Sequence, residues 1–173
     1  MLELYFQDNQ YPFDGITHCR KVARGIILNE KNQIVLNHVV TQDIFGLRDV
    51  YETPGGGVKE GETIEMAVLR EIEEETGLQC EIMGKIGVVH DFYHLIHREN
   101  ENHYYLLRVV NHKEKHLEAY EKEVIQEMVW FSFDEAIEVC QTKQFGGVGK
   151  LVQQRELPII LEAKRICDAK NIK

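Results

Sequence analysis

The amino-acid sequence predicts an α/β (α+β) fold in which a mixed β-sheet lies between layers of helices. Strand-like apolar runs stand before and after one amphipathic helical segment, and further helical segments follow the last strand. The chain of 173 residues is 43% apolar, which is enough to bury a core. We expect one domain with its main body at residues 20–142, an N-terminal arm or extra strand at 1–19, and a C-terminal helical extension at 143–173.

The first strands are predicted from apolar runs separated by polar turns. Residues 22–28 and 33–39 form two such runs, and the polar residues 29–32 between them predict a turn. Residues 41–48 have no clear period and predict a variable loop. Residues 50–53 predict a short strand that leads into a glycine-rich turn.

Alternation returns in the second half of the chain. Residues 80–92 predict a long strand, 98–102 a polar loop and 103–110 a second strand, so we expect a hairpin. The highly charged residues 111–123 predict a mobile connection. Residues 128–131 predict the last strand.

Two helices are predicted after the last strand. Ser132 is a candidate N-cap, with Glu135 at the third helical position as in a capping box, and this helix should extend through about Cys140. The glycine-rich residues 146–149 predict a break. The end of the chain predicts a terminal helix preceded by Pro158.

The helix with candidate chemistry lies in the middle of the chain. Thr63 is a candidate N-cap, and Gly77 stands where a left-handed residue would end the helix. Val68, Leu69 and Ile72 fall on one arc and should anchor the helix to a core.

Three glutamates on this helix share another face, because Glu71, Glu74 and Glu75 are spaced at i, i+3 and i+4. Like charges at this spacing destabilise a plain surface helix by a few tenths of a kcal/mol per pair, so something should compensate for them. Carboxylate oxygens suit hard cations, and Mg²⁺ is commonly held by one or two carboxylates together with substrate phosphates. The spacing therefore indicates a divalent-metal site, and the plain alternative is a solvated acidic helix.

The glutamates belong to a longer pattern that begins in the glycine turn. The pattern is G-x5-E-x7-R-E-U-x-E-E-x-G-U, where U is a bulky aliphatic residue, and it is filled by Gly56, Glu62, Arg70, Glu71, Ile72, Glu74, Glu75, Gly77 and Leu78. On these residues the chain resembles the Nudix (MutT-like) hydrolase family. The resemblance is sharp over residues 54–78 and architectural over about 20–142, and the final thirty residues lie outside it.

The resemblance implies an α/β/α sandwich that hydrolyses the pyrophosphate bond of a nucleoside diphosphate linked to another moiety. It implies Mg²⁺ or Mn²⁺ as the cofactor, with Glu71, Glu74 and Glu75 as metal ligands and the Gly55 carbonyl as a further ligand. Divalent metals neutralise the anionic pyrophosphate and activate a water molecule. The expected partner is a small-molecule nucleotide.

The same resemblance assigns supporting roles to four residues of the pattern. Arg70 is expected to tie the glutamates to the loop, and Glu62 to accept hydrogen bonds within that loop. Gly56 and Gly77 are expected to serve as scaffold positions.

A glutamate ahead of the late strand acts as general base in some family members. Glu121, Glu123 and Glu127 occupy that region, and Glu123 is our preference. For each of them a solvated charged loop is the alternative.

Aromatic and histidine side chains of the second half are further candidates. Tyr93, Tyr104 and Tyr105 could stack on a nucleobase or could face the core. Four histidines resemble a ligand cluster for a zinc ion: His90, His94, His97 and His103. The strand alternation favours instead histidines that project toward solvent or substrate.

The substrate within the family stays open. A proline about fifteen residues after the pattern suggests ADP-ribose, but Phe92 stands there. A tyrosine about one residue later suggests diadenosine polyphosphates, and Tyr93 lies near that place. Nucleoside triphosphates and sugar nucleotides remain open.

Composition excludes several other classes of function. The net charge of −9, from 20 basic and 29 acidic residues, argues against a broad nucleic-acid surface. No apolar run approaches the ~20 residues needed to span a bilayer, and the N-terminus lacks a signal-peptide pattern. The four cysteines, Cys19, Cys80, Cys140 and Cys167, form no paired motif, which predicts reduced thiols in a cytoplasmic protein. A homodimer through the N-terminal arm is a further hypothesis.

Two alternative functions use the same scaffold. A non-catalytic ligand-binding or regulatory module would be expected to lose glutamates of the pattern, and all are present here. An isomerase would need an additional catalytic cysteine and acid. Cys80 follows the helix, but nothing in the sequence positions it.

Overall fold

The computed structural model describes residues 1–172. The strands are β1 (Leu2–Phe6), β2 (His18–Leu28), β3 (Ile34–Asp43), β4 (Gly46–Glu52), β5 (Gly55–Gly57), β6 (Leu78–Tyr93), β7 (Arg98–His112) and β8 (Ile125–Phe131). The helices are α1 (Ile64–Thr76), α2 (Ala119–Val124), α3 (Phe133–Thr142) and α4 (Gly146–Ala169), and a 3-10 turn spans His94–Ile96. None of the helices described in residues 1–172 is both long enough and apolar enough to cross a membrane.

The eight strands form one mixed sheet in the order β1-β6-β7-β2-β3-β4, with β5 beside β2 and β8 beside β3. Strand β1 is parallel to β6 and β7 is parallel to β2, whereas the other pairs are antiparallel. Helix α1 packs on one face of the sheet, and α3 and α4 pack on the other. The predicted mixed sheet between helical layers is confirmed.

Alternation along the central strands supplies both apolar layers. In β2, Ile27 points toward α1 and Ile26 toward α3 and α4, and both are fully buried. In β7, Tyr105 points toward α1 and Tyr104 toward α3 and α4. Full burial of an isoleucine side chain contributes about 1.5–3 kcal/mol, so the sheet is held firmly from both sides.

Strands β2 and β3 pair only briefly. A single residue pair, Leu28 with Ile34, joins them next to the turn that connects them. Beyond this residue pair, β2 pairs with β5, and β3 pairs with β8 and β4. The sheet therefore opens into a cleft, and the glycine strand β5 lies at its edge.

The predicted boundaries of α1 are confirmed. The Thr63 hydroxyl accepts a hydrogen bond from the Met66 backbone N–H, as an N-cap does. Gly77 ends the helix with a φ of 72°, and its N–H bonds to the Glu73 carbonyl. These two caps set where α1 begins and ends, and its buried residues Ala67, Val68 and Ile72 orient it against the sheet.

Two predicted loops are strands in the structure. The predicted loop at 41–48 is wrong, because β3 continues through Asp43 and β4 begins at Gly46, which leaves a short turn. The predicted loop at 98–102 is also wrong, because β7 begins at Arg98 and pairs with both β6 and β2. Polar side chains there face a cavity, so their polarity does not indicate a loop.

The C-terminal predictions need similar corrections. The connection predicted at 111–123 contains the end of β7 and helix α2. The predicted break at 146–149 is the first turn of α4, where a Cβ on Gly149 would lie 2.8 Å from the Gln144 backbone. Glycine here allows close packing at the start of the helix. Pro158 lies inside α4 and does not precede it, at the cost of one helical hydrogen bond.

The N-terminal segment adds a strand to its own sheet. Strand β1 extends the sheet along β6, and a Cβ on Gly87 would lie 2.8 Å from the Leu2 Cβ. The buried Asp8 carboxylate then accepts backbone N–H bonds from Gln10, Tyr11 and His94. These bonds fix the segment against the loop between β6 and β7.

Candidate active site

A cavity of about 690 Å³ lies in the cleft between β2 and β3. Its floor consists of side chains from one face of β2 and β7. The glycines of β5 and the glutamates of α1 form one wall, and α2 forms part of the opposite rim. This volume falls within the range of small-molecule sites.

Glu71 and Glu75 of α1 both line this cavity. Glu75 accepts hydrogen bonds from the Gly55 N–H (2.8 Å) and from the Asn37 side-chain amide (3.2 Å). No lysine, arginine or histidine of the described residues forms an ion pair with it. The wall therefore contains a buried carboxylate whose charge lacks a neighbouring counterion.

Arg70 ties the helix to the glycine turn. Its guanidinium donates to both carboxylate oxygens of Glu62, with one bond of 2.8 Å, and to the Gly57 carbonyl at 3.2 Å. The same group donates to Glu71 at 2.6 Å and to Glu74 at 3.0 Å. Arg70 thus joins glutamates of the helix to the glycine turn, as expected from the sequence. Its own side chain does not line the cavity.

Hydrogen bonding and burial shift the pKa values of these carboxyls in opposite directions. The Arg70 guanidinium lowers the pKa of Glu62 to about 2. Burial raises the pKa of Glu75 to about 8. Burial also raises the pKa of Glu71, against the opposing effect of Arg70.

Glycine is required next to Glu71. A Cβ on Gly56 would lie 2.5 Å from the Glu71 carboxylate carbon, so any larger residue would displace that carboxylate. Gly55 has a φ of 143°, which side-chain-bearing residues rarely adopt. Gly56 and Gly77, two scaffold positions of the pattern, therefore have distinct structural reasons: close approach at the first and a left-handed conformation at the second.

The carboxylates are not arranged as a finished metal cage. Within residues 1–172, no group of three or more His, Cys, Asp or Glu side chains has the geometry to hold a metal ion. Arg70 holds Glu74 outside the cavity and also bonds Glu71. The donor set nevertheless fits a hard divalent cation, because Glu71 and Glu75 present carboxylate oxygens beside a glycine backbone that leaves room at Gly56.

The general-base preference needs correction. Glu123 has an exposed side chain and does not line the cavity. Glu121, two residues earlier on α2, lines the cavity together with Glu71 and Glu75. The two side chains differ because α2 turns about 200° over two residues.

Two of the three tyrosines named as substrate contacts lie in the core. Tyr104 is fully buried and donates to Glu156, and Tyr105 packs beneath α1 and donates to Glu65. Tyr93 lines the cavity, but it is only 5% exposed and its hydroxyl accepts a bond from Arg155. Only Tyr93 is therefore placed to meet a ligand.

The histidine cluster is dispersed. His90 bonds Glu99 and stacks on Tyr5, and His103 bonds Glu101. His94 and His97 each contact backbone carbonyls of the N-terminal segment. The zinc-site interpretation is wrong for residues 1–172, because strand pairing separates these side chains and engages each with a different neighbour.

Sequence interpretation missed the polar floor of the cavity. The buried Arg155 of α4 bonds Glu52 at 2.7 Å and Glu156 at 2.9 Å, and Arg24 bonds the Thr53 carbonyl at 2.8 Å. The Asn100 and Asn102 amides donate to the buried Asp91. The sequence carries little local signal for this face, because residues 98–103 are all polar and Val22 lies between Arg20 and Arg24 on it.

Comparison with known families and proteins gives a consistent result. The model of the NUDIX domain matches residues 19–148. The chain is 44% identical over 63 residues to a putative 8-oxo-dGTP diphosphatase of Bacillus subtilis (36% of this chain, 38% of that protein). It is 39% identical over 67 residues to an ADP-ribose pyrophosphatase of Methanocaldococcus jannaschii (39% of this chain). The chain thus spans 38% of the length of each of these curated relatives.

Solved structures agree at the level of the fold. A NUDIX hydrolase from Nitrosomonas europaea superposes with a TM-score of 0.64 at 19% sequence identity, and covers 86% of this chain and 90% of its own. At this low identity the superposition shows a shared fold alone.

Proposed function

Because the chain belongs to the Nudix family, we propose that it is a divalent-metal-dependent hydrolase of the pyrophosphate bond in a nucleoside diphosphate linked to another moiety. The observation that carries this proposal is the pairing of Glu71 and Glu75 with the glycine strand at one wall of the cavity. Relatives named as an 8-oxo-dGTP diphosphatase and an ADP-ribose pyrophosphatase support the reaction class and leave the nucleotide open.

Glu71 and Glu75 would hold Mg²⁺ or Mn²⁺, with Glu74 available if Arg70 releases it. When bound, the metal supplies charge neutralisation at the pyrophosphate and lowers the pKa of a ligated water. Arg70 keeps Glu71 directed at the glycine turn through its bonds to Glu62 and Gly57. The Gly55 N–H and Asn37 orient Glu75 in the same way. These contacts preorganise the carboxylates, so little reorganisation is needed during the reaction.

Glu121 is our proposed general base. It lines the cavity opposite the acidic face of α1, and the Glu118 N–H donates to it at 2.7 Å. A carboxylate here could accept a proton from an attacking water. Cys80, which the isomerase alternative requires, lies outside the cavity lining, and burial raises its pKa to about 12. No observation favours that alternative.

Release of phosphate and nucleotide from a substrate panel tests the proposal. The panel holds nucleoside triphosphates, 8-oxo-dGTP, ADP-ribose, sugar nucleotides and diadenosine polyphosphates, each with Mg²⁺ or Mn²⁺. Glu75→Gln should abolish the activity. Glu73→Gln is the matched control, because Glu73 lies on the same helix but bonds Gln79 and Lys113 outside the cavity. No hydrolysis of any compound by a metal-binding protein would favour the non-catalytic module.

A homodimer and a cytoplasmic location complete the proposal. Strand β1 pairs only with β6 among the described strands, and its other edge could pair with a second copy. Light scattering on the full chain and on a variant lacking residues 1–19 tests the dimer. A monomeric state of both proteins would reject it. The spacing of the cysteines supports a cytoplasmic location, which cell fractionation tests.

A further inference from the structure

The cavity has an acidic wall and a floor that carries arginines, and a bound metal accounts only for the acidic wall. We propose that Arg20 and Arg98 bind the phosphate oxygens of the substrate that the metal does not neutralise. The identity of the ligand, a pyrophosphate-containing nucleotide, rests on the proposed function. The placement of the two arginines does not.

Arg20 and Arg98 differ from the other arginines of the cavity in having no partner. Three others pair with carboxylates: Arg24 and Arg155 with Glu52, and Arg48 with Asp43. Within residues 1–172, the side chains of Arg20 and Arg98 form neither an ion pair nor a hydrogen bond. Two guanidinium groups that face the cavity are thus available to an anion.

Arg98 is also partly withdrawn from water. Its Nε is buried without a hydrogen-bond partner, and its guanidinium lies 5.8 Å from the centre of the Tyr93 ring. Burial lowers the pKa of Arg98, and the neighbouring charge of Arg20 lowers it further. A half-buried cation next to a second cation is unfavourable without a counterion, and an anion in the cavity would supply one.

Strand register brings the two arginines together. Strands β2 and β7 are parallel, with His18 opposite Arg98 and Arg20 opposite Asn100. Arg20 and Arg98 are therefore diagonal neighbours on the same face of the sheet. That face is the floor of the cavity.

The glycine strand connects this pair to the acidic wall. A Cβ on Gly57 would lie 2.8 Å from Arg20 Nη2 and 3.1 Å from Arg20 Nε, so the guanidinium lies against β5. The neighbouring Gly56 lies against Glu71. Arg20 and Glu71 both line the cavity, so an anion held by Arg20 shares it with the carboxylates of α1, where a phosphate can contact both a metal and an arginine. Planar guanidinium groups suit this role because they bind phosphate through two parallel hydrogen bonds.

Calorimetric binding of inorganic pyrophosphate in EDTA tests the inference without metal and without turnover. Wild-type protein should bind, and Arg20→Gln and Arg98→Gln should each weaken binding by at least about 10-fold. Arg98→Lys should fall between, because it keeps the charge and loses the planar fork. Arg165→Gln is the matched control, since Arg165 lies on the outer face of α4 and bonds Glu162. It should bind as wild type.

Absence of pyrophosphate binding by wild-type protein would overturn the inference, and so would wild-type affinity in both glutamine variants. Arg20 is exposed, so Arg20→Gln decides the question even if Arg98→Gln fails to fold. The protein could bind pyrophosphate through the two arginines and yet hydrolyse no substrate. That result would separate the phosphate site from the proposed hydrolysis. In that case the phosphate site stands and the proposed hydrolysis fails.

Discussion

Single carboxylates of the glutamate motif differ in chemistry because their neighbours differ. Glu75 and Glu62 belong to one motif, yet burial raises the pKa of the first to about 8 and Arg70 lowers that of the second to about 2. The spacing of the glutamates predicted that they would share a face. It could not predict which of them Arg70 would engage, because that depends on the position of the glycine turn.

The raised pKa of Glu75 should make the metal-free protein less stable at high pH. The folded state keeps this proton between the ordinary pKa near 4.5 and about 8, whereas the unfolded chain loses it. The free energy of unfolding therefore falls as pH rises through this window, by roughly 2–5 kcal/mol in total, and levels off above it. Glu75→Gln should remove this loss in EDTA, as measured by denaturant unfolding at pH 5, 7 and 9.

The control for this measurement is Glu73→Gln, which should follow the wild-type pH dependence because hydrogen bonds from Lys113 and Gln79 lower the pKa of Glu73, so that it stays ionised from pH 5 to pH 9. Equal pH dependence in wild type and Glu75→Gln would show that Glu75 is not the titrating group.

Two glutamates of α2 provide a second comparison between single residues. Glu121 lines the cavity and Glu123 is exposed outside it. Glu121→Gln should lower kcat by about 100-fold and remove the acidic limb of the pH–rate profile, whereas Glu123→Gln should leave both unchanged. Steady-state kinetics over a pH series measures this difference. A larger loss in the Glu123 variant would restore the preference drawn from the sequence.

At the scale of elements, the caps and periodicity of α1 were predictable because they depend on residues close in sequence. The extents of β3, β4 and β7 were not, because distant pairing partners convert polar stretches into strands. Helix α4 illustrates the same limit. Its Arg155 is buried beneath the cavity through contacts with residues more than sixty positions away, which no local pattern contains.

The close contact between β5 and α1 predicts a strong effect of one methyl group. Gly56→Ala places a Cβ against the Glu71 carboxylate and should displace it, lowering metal-dependent activity by about 10- to 100-fold with the fold retained. Gly84→Ala is the control, because a Cβ at Gly84 meets no atom within 4 Å. Activity assays and circular dichroism on both variants measure the outcome. Full activity of Gly56→Ala would show that Glu71 does not need its present position.

The contact between α4 and the cavity floor predicts a large stability effect. Arg155→Met leaves Glu52, Glu156 and Asp91 without their shared cation and should reduce the free energy of unfolding by about 3–5 kcal/mol. Arg165→Met, on the outer face of the same helix, should change it by less than about 1 kcal/mol. Chemical denaturation compares them. Similarly small losses of unfolding free energy in both variants would mean that the buried ion pairs of Arg155 do not stabilise the fold.

For the whole molecule, the division of the sheet offers a single cavity to the proposed metal and the proposed anion. Strands β2 and β3 separate after one residue pair, and the cleft is lined by Glu71 and Glu75 of α1 and by arginines of β2 and β7. The net charge of −9 would repel a nucleotide from most of the surface. A divalent cation bound at the acidic wall, as proposed, would reverse that repulsion at the cavity.

The most direct test of this arrangement is the initial rate of hydrolysis of the best substrate as Mg²⁺ is titrated from EDTA to saturation. Wild type and Glu73→Gln should show no rate in EDTA and the same saturable rise. Glu75→Gln should lose at least about 100-fold in rate at any Mg²⁺ concentration. Wild-type hydrolysis that persists in EDTA, or a Glu75→Gln curve that matches wild type, would contradict a metal-dependent site at α1.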